Sequence, residues 1–80
     1  MDPSTTTGSI QSAADLGRII RERRKRDGLT LVETAGLTNV VVRFLSELEN
    51  GKPTVRLDKL LRVLDALGIV LHAADRVPSA

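Results

Sequence analysis

The residues most able to do chemistry form a run of cations in the first third of the chain. Six of the twelve Lys and Arg residues fall between Arg18 and Arg26, and Glu22 and Asp27 are the only acidic residues in or beside that run. A concentrated positive field suits a phosphate backbone or another acidic surface. A solvated basic helix face would show the same composition, so the run alone leaves both interpretations open.

The sequence lacks the residue types that most catalytic mechanisms need. The chain has no cysteine and a single histidine, His72, which excludes disulfides, cysteine metal sites and a well-supplied Ser-His-Asp triad. Paired catalytic acids, a Gly-rich phosphate loop and a metal-binding cluster are all missing from the sequence. Phe44 is the only aromatic residue, so stacking on bases or sugars is nearly excluded. We therefore expect a protein that is not an enzyme and that has no cofactor and no metal.

Length and hydropathy predict one small domain. Eighty residues with 41% hydrophobic content can build a single core, and a second subunit would help to stabilise it. No apolar run reaches the length of a membrane span and no signal peptide is recognisable, so we expect a cytoplasmic protein without a membrane partner. The predicted segments are a flexible leader (1–11), a folded domain (12–68), a strand (69–75) and a tail (76–80).

Apolar residues three and four positions apart predict four helices. The predicted ranges are 12–28, 30–37, 41–49 and 55–67. Ser12, Thr30 and Thr54 are the predicted N-caps, with Asp15 and Glu33 as capping-box partners of the first two. Since Asn tolerates positive φ, Asn39 predicts a tight turn between the second and third helices.

The same periodicity predicts which faces point inward. The expected inward positions on the second, third and fourth helices are Val32 and Ala35; Val41, Phe44, Leu45 and Leu48; and Leu57, Leu60, Leu61, Leu64 and Leu67. Val63 lies off the last of these stripes, which predicts an apolar surface that needs cover.

Residues 69–74 are short, β-branched and apolar on both faces, which indicates a strand. A lone strand leaves its backbone groups unpaired, and the same strand of a second copy would pair them about a two-fold axis. The predicted fold is therefore all-α, with four helices and a short C-terminal β-strand pairing across a homodimer. The predicted dimerisation residues are Val63, Ile69, Val70, Leu71, His72 and Ala73.

The second and third helices are joined by about three residues, and the small Ala35 allows them to cross closely and steeply. This arrangement is typical of a helix-turn-helix whose second helix enters a major groove. Any small helical bundle would remain an alternative for residues 28–52 taken alone.

A resemblance to a known family favours the helix-turn-helix over another small helical bundle. The segment GLTLVETAGLTNVVVRFLSELENGK resembles the helix-turn-helix of the phage-repressor and Cro-like (XRE) regulators. Over residues 12–75 the chain is similar to the HipB-like antitoxins, in which a short strand after the last helix pairs across the dimer. The resemblance implies a sequence-specific repressor that autoregulates its operon and acts as antitoxin of a type II toxin-antitoxin system. Its implied partners are a palindromic double-stranded DNA operator, a second copy of the chain and a HipA-like serine/threonine kinase toxin.

The resemblance also implies roles for particular residues. Base contacts fall to Val41, Val42, Arg43, Ser46 and Glu47; backbone contacts fall to Thr30, Asn50, Lys52, Thr54 and Arg18. Arg43 is suited to guanine O6 and N7 or else to a phosphate. Glu47 could accept from cytosine or pair with a neighbouring Arg, and we favour the pair. Arg24 and Glu49 match a salt bridge between the first and third helices.

Two residues depart from the family pattern. Leu31 stands where a phosphate-binding Gln is usual, and Val41 stands where Ser or Thr often caps the third helix. These departures keep open a protein-interaction module that has lost DNA binding. A phage-type or housekeeping regulator with no toxin, which would share the fold and the DNA site, is the other alternative.

Overall fold

The structure, a computed structural model, describes residues 8–75. Its helices are α1 (Ala13–Arg26), α2 (Leu31–Thr38), α3 (Val42–Glu49) and α4 (Leu57–Ala66). Every bound lies within two residues of its predicted position, and the four-helix fold is confirmed. The predicted tail, 76–80, and the first seven residues of the predicted leader lie outside the described residues. Residues 8–11 form neither helix nor strand.

The first two helices begin with side-chain caps, as predicted. The Ser12 hydroxyl accepts a hydrogen bond from the backbone N–H of Asp15, although the Asp15 carboxylate accepts from Gln11 rather than from Ser12. At α2 the capping box is complete, because Thr30 and Glu33 each accept from the backbone N–H of the other at 2.9–3.0 Å. These bonds satisfy N–H groups that have no partner within the helix.

The other two helices begin without a side-chain cap. Val41 precedes α3 and offers no acceptor, as its residue type predicts. The prediction that Thr54 caps α4 was wrong: α4 begins at Leu57, and Arg56 occupies the N-cap position. Thr54 lies too far before the first turn, since a capping oxygen must reach the second or third N–H of the helix.

The turn between α2 and α3 depends on Asn39, which adopts φ 56° as predicted. Its left-handed conformation ends α2 and lets Val40 donate its backbone N–H to the Ala35 carbonyl at 3.1 Å. The chain then enters α3 within three residues. This short connection fixes the crossing of the two helices.

The core draws on all four helices, and the predicted inward faces of α2 and α4 were partly wrong. Ala35 on α2 and Leu60, Leu64 and Leu67 on α4 are buried as predicted, whereas Val32, Leu57 and Leu61 are exposed. On α4 the buried stripe is Leu60, Val63, Leu64 and Leu67, so Val63 is 0% exposed and Leu57 is 63% exposed. Three members of this stripe were predicted, and Val63 takes the place of Leu57 and Leu61 in it. On α2, Val32 is 68% exposed, because the helix buries Thr34, Ala35 and Thr38 instead.

Val41 was also predicted to point inward and is exposed. It lies before the first turn of α3 and has an extended backbone, so the helical stripe does not extend to it. Leu45 and Leu48 are buried as predicted, and Phe44 is half-buried against the core.

Helix α1 packs against the C-terminal end of α3 at Gly17. A Cβ atom at Gly17 would collide with the backbone carbonyl oxygen of Leu48 and would lie 2.7 Å from that of Glu49. The absence of a side chain at this one position therefore allows the two helices to approach.

The predicted C-terminal strand does not form within the single chain. Ile69 donates its backbone N–H to the Leu64 carbonyl at 2.9 Å, closing α4, and the following residues through Asp75 adopt no regular structure. A strand needs a second extended segment beside it, and residues 8–75 supply none. No helix in this part of the chain is long and apolar enough to cross a membrane.

Candidate nucleic-acid interface

The position of α3 is fixed by a buried ion pair. Arg24 of α1 donates two hydrogen bonds to the Glu49 carboxylate, Nε to Oε2 at 2.6 Å and Nη2 to Oε1 at 2.9 Å. Its Nη1 donates to the Leu29 carbonyl at 2.8 Å. Its hydrogen bonds to Glu49 raise the pKa of Arg24 above its ordinary value, and both side chains are almost fully buried. The predicted Arg24–Glu49 pair is therefore present, and it joins α1, α3 and the α1–α2 turn.

The outward face of α3 carries the predicted base-contacting residues. The Arg43 side chain is 87% exposed, Val42 is exposed, and Ser46 and Glu47 are half-exposed. Leu45 and Leu48 hold the opposite face in the core. The helix therefore presents one polar face, beginning at its first turn, to an incoming ligand.

Glu47 joins two of the predicted DNA-contacting cations. Its carboxylate accepts from Arg43 Nε at 2.9 Å and from Lys52 Nζ at 2.7 Å. These hydrogen bonds, that from Lys52 first, lower the pKa of Glu47 below its ordinary value. The favoured interpretation, that Glu47 pairs with a neighbouring Arg, agrees with this geometry, and Lys52 is a second partner that the sequence did not suggest.

The predicted backbone-contacting residues are distributed around α3. Asn50 donates its Nδ2 to the Ser46 carbonyl at 2.8 Å and ends the helix, while Lys52 follows it in the next turn. Thr30 is committed to the α2 capping box, and Thr54 is exposed. Arg18 lies on α1 and contacts acids of its own helix, with Asp15 at 3.6 Å and Glu22 at 3.9 Å. The structure thus joins Asn50 to Ser46 and Lys52 to Glu47, but it does not bring Arg18 or Thr54 to them.

A cleft beside α3 is lined by a cation, Arg21, for which the sequence predicted no role. Arg21 of α1 lines it together with Leu31, Ser46 and Asn50, and the Arg24–Glu49 pair completes the lining. Arg21 precedes Arg24 by three residues, so the two share one side of α1. That spacing was the available signal, because Arg24 was already predicted to face α3.

The predicted dimerisation residues divide into two groups. Val63 is fully buried in the core of its own chain, so it presents no surface to a second copy and the prediction for it was wrong. Ile69 packs partly on the core, whereas Val70, Leu71, His72 and Ala73 are exposed. With Ile10, Leu16 and Ile19, the C-terminal segment lines a broad, largely apolar groove along α1.

Comparison with known proteins places the chain in a family. Residues 15–77 match the helix-turn-helix domain family. An uncharacterised HTH-type transcriptional regulator, y4mF of Sinorhizobium fredii, is 44% identical over 59 residues, which cover 74% of this chain and 78% of that protein. The alignment therefore spans most of both sequences.

Solved structures show the same fold. The HipB chain of a HipB–O4 20mer complex superposes with a TM-score of 0.78 at 22% identity, covering 86% of this chain and 97% of that one. A chain of the HipA–HipB–O2–O3 complex gives the same score, identity and coverage. At this identity the likeness concerns the fold, while the family match rests on the sequence. The chain belongs to the helix-turn-helix domain family, and a relative across most of its length is named as a transcriptional regulator.

Proposed function

We propose that this protein is a sequence-specific transcriptional repressor that binds a palindromic operator of its own operon as a homodimer. We propose further that it is the antitoxin of a type II toxin-antitoxin system and neutralises a HipA-like serine/threonine kinase. In this proposal residues 12–68 bind DNA and residues 69–75 pair across the dimer. The observation that carries the DNA-binding part is the exposed polar face of α3, held by the buried Arg24–Glu49 pair.

The dimensions and chemistry of α3 suit a major groove. Eight residues make a helix about 12 Å long, and a major groove admits one α-helix. The exposed Arg43 guanidinium has donors for guanine O6 and N7, and Val42 beside it is suited to a thymine methyl group. Ser46, one turn further on, supplies a hydroxyl for a base or a phosphate. Two copies related by a two-fold axis would read two half-sites of a palindrome.

The antitoxin part has separate support. The fold matches HipB, and one of the matching structures is a complex that contains HipA. The y4mF relative, at higher identity, is named only as a transcriptional regulator, which favours a regulator without a toxin partner as the second candidate function. The two candidates share the DNA site and differ in whether a kinase binds.

The DNA-binding part is tested with the wild type and Arg43→Ala on a duplex from the region upstream of the gene. We expect tight, salt-sensitive binding by the wild type, and a loss of about 1–3 kcal/mol of sequence discrimination in the variant. Arg56→Ala is the matched control, because Arg56 is also exposed and also paired with an acid, Asp58, but lies at the start of α4. Wild-type binding without sequence preference or salt dependence would favour an interaction module instead.

The antitoxin part is tested by co-expression with the product of the adjacent gene. We expect the two proteins to co-purify and the kinase activity of the partner to fall when this protein is added. A neighbouring gene that encodes no kinase, together with normal operator binding, would establish the regulator without a toxin. Measuring DNA binding and kinase inhibition separately keeps the two parts of the proposal distinct.

A further inference from the structure

The cleft beside α3 has an excess of hydrogen-bond donors and of positive charge. Arg24 and Glu49 satisfy each other at its base. Arg21 has neither an ion pair nor a hydrogen bond to any residue in the described range 8–75. Asn50 Nδ2 donates to the Ser46 carbonyl at 2.8 Å and to Ser46 Oγ at 3.5 Å, and since the Ser46 hydroxyl only accepts in these bonds, its hydrogen is also available. The net charge of the cleft lining is therefore +1.

We infer that this cleft binds one phosphate of the DNA backbone and that Arg21 is its charged ligand, an inference that rests on the proposed DNA-binding function. A phosphodiester oxygen needs donors and a cation, and Arg supplies both in a planar fork. Glu49 is the one acid in the lining, and its two oxygens are committed to Arg24. The cleft thus offers an anion little competition from its own carboxylate.

The position of Ser46 relates the cleft to the duplex. Ser46 lines the cleft and follows Arg43 by one helical turn on the polar face of α3. A duplex whose major groove receives Arg43 must therefore carry a flanking strand past Ser46 towards α1. Leu31, the first residue of α2, lines the same cleft without offering a polar side chain, so the charge for a phosphate there comes from Arg21 on the facing helix.

The same face of α1 extends the positive surface in both directions. Arg18 lies three residues before Arg21 and Lys25 four residues after it, the spacings that place side chains on one helical face. Both are exposed. The adjacent phosphates of the strand would therefore pass along further cations, with Arg21 at the point nearest to α3.

The test is the salt dependence of DNA binding by Arg21→Gln, measured by fluorescence anisotropy on the upstream duplex and on a random duplex of equal length. We expect the slope of log K against log salt to become shallower by about 0.9, the value for one phosphate contact. We also expect equal fold losses of affinity on the two duplexes, since a phosphate carries no sequence information. Arg21→Lys should restore most of the slope because it keeps the charge.

Arg26→Gln is the matched control. It removes the same charge from the same helix, but Arg26 lies about 140° around α1 from Arg21 and is exposed away from the cleft. We expect its slope to equal that of the wild type, and thermal melting checks that each variant is folded. An unchanged slope in Arg21→Gln, or a loss confined to the upstream duplex, would overturn the inference. A wild type that binds neither duplex would overturn the proposed function as well.

Discussion

Glu47 places a negative charge on the exposed polar face of α3. Its carboxylate holds Arg43 and Lys52 at 2.9 and 2.7 Å, and those bonds lower its pKa, so it remains ionised at acidities where an ordinary glutamate takes up a proton. A fixed negative charge on this face repels phosphates unless the protein lies in a register that suits Arg43. Such an acid would limit non-specific binding while orienting the cations around it.

We therefore predict that Glu47→Gln raises affinity for random duplex more than for the upstream duplex. Gln keeps the shape and one carbonyl acceptor, but it cannot hold both cations as a carboxylate does. The salt slope on random DNA should steepen by about 0.9, the effect of one more neutralised phosphate. Anisotropy titrations at several salt concentrations measure both quantities.

Asp58→Asn is the control for this charge change. Asp58 also pairs with an exposed arginine, Arg56, and its pKa is likewise lowered by that partner, but it lies on α4. Its removal should leave the ratio of the two affinities unchanged. If Glu47→Gln behaves like Asp58→Asn, Glu47 has no role in discrimination.

For single residues, the sequence predicted which side chains pair with each other better than it predicted which residues line a common cleft. Local spacing suffices for Thr30 with Glu33 and for Glu47 with Arg43, because three and four residues along a helix place side chains together. Arg24 with Glu49 was predicted from the resemblance, since no local rule joins residues 25 apart. The place of Arg21 in the cleft depends on how α1 crosses α3, which single-residue patterns do not contain.

Between elements, the Arg24–Glu49 pair provides the strongest polar contact. Arg24→Ala leaves the buried Glu49 carboxylate and the Leu29 carbonyl without their partner. We expect a loss of about 3–5 kcal/mol in the free energy of unfolding, as for other buried pairs broken on one side. Urea denaturation followed by circular dichroism measures it.

Arg18→Ala is the comparison for this prediction. Arg18 is exposed and its contacts to Asp15 and Glu22 are 3.6 Å and longer. Exposed pairs of this kind contribute about 0–1 kcal/mol, so the variant should unfold close to the wild type. Equal stabilities of Arg24→Ala and the wild type would show that the buried pair does not hold α3.

The close approach of α1 to α3 leads to a prediction for Gly17→Ala, in which helix propensity raises the free energy of unfolding and packing lowers it. Alanine is favoured over glycine inside a helix by up to about 1 kcal/mol. Gly17→Ala should nevertheless destabilise the protein, because the new methyl group meets the backbone carbonyls of Leu48 and Glu49, which cannot rotate away. A Cβ at Gly36 of α2 meets nothing within 4 Å, so Gly36→Ala should raise stability by about 0.5–1 kcal/mol.

Thermal and urea unfolding of the two glycine variants form a paired test. The expected result is a shift of opposite sign for the same chemical change. If Gly17→Ala is as stable as Gly36→Ala, α1 and α3 do not pack as closely as the structure shows. Because both sites lie inside helices, differences in intrinsic propensity cancel in the comparison.

The buried face of α4 shows why apolar patterns predict the presence of a helix better than they predict which of its residues are buried. Leu57, Leu61 and Val63 all belong to apolar series at spacings of three and four, so more than one stripe fits the sequence. Packing against α2 selects the stripe that contains Val63 and leaves Leu57 exposed. On α2 the buried face includes Thr34 and Thr38, and no hydrophobicity pattern predicts the burial of their hydroxyl groups.

For the molecule as a whole, the C-terminal segment stands out within the described part of the single chain for its unsatisfied backbone groups and exposed apolar side chains. Residues 70–75 make no backbone hydrogen bond within the described chain, and Val70 is 87% exposed. The composition of this segment predicts a strand, whereas the single chain forms none there. A second copy supplying the matching segment would resolve both observations, as it would supply backbone partners and cover the apolar side chains.

We predict that Val70→Asp prevents dimer formation without unfolding the helices. Burying a carboxylate among Ile69, Leu71 and the groove along α1 is costly, whereas the same change in an isolated chain exposes the charge to water. Sedimentation equilibrium should show a monomer, with helical circular dichroism retained. Val32→Asp is the matched control, since Val32 is also an exposed valine but lies on α2.

Loss of the dimer should then weaken operator binding far more than any single contact does. Two linked half-site domains bind with an effective concentration that a free monomer lacks, so avidity falls by roughly 10²–10⁴ when the link is broken. Half-site binding should survive, because α3 and its Arg24–Glu49 support are unchanged in Val70→Asp. A Val70→Asp protein that stays dimeric would place the subunit contact elsewhere, with the exposed Leu57 and Leu61 of α4 as the next surface to change.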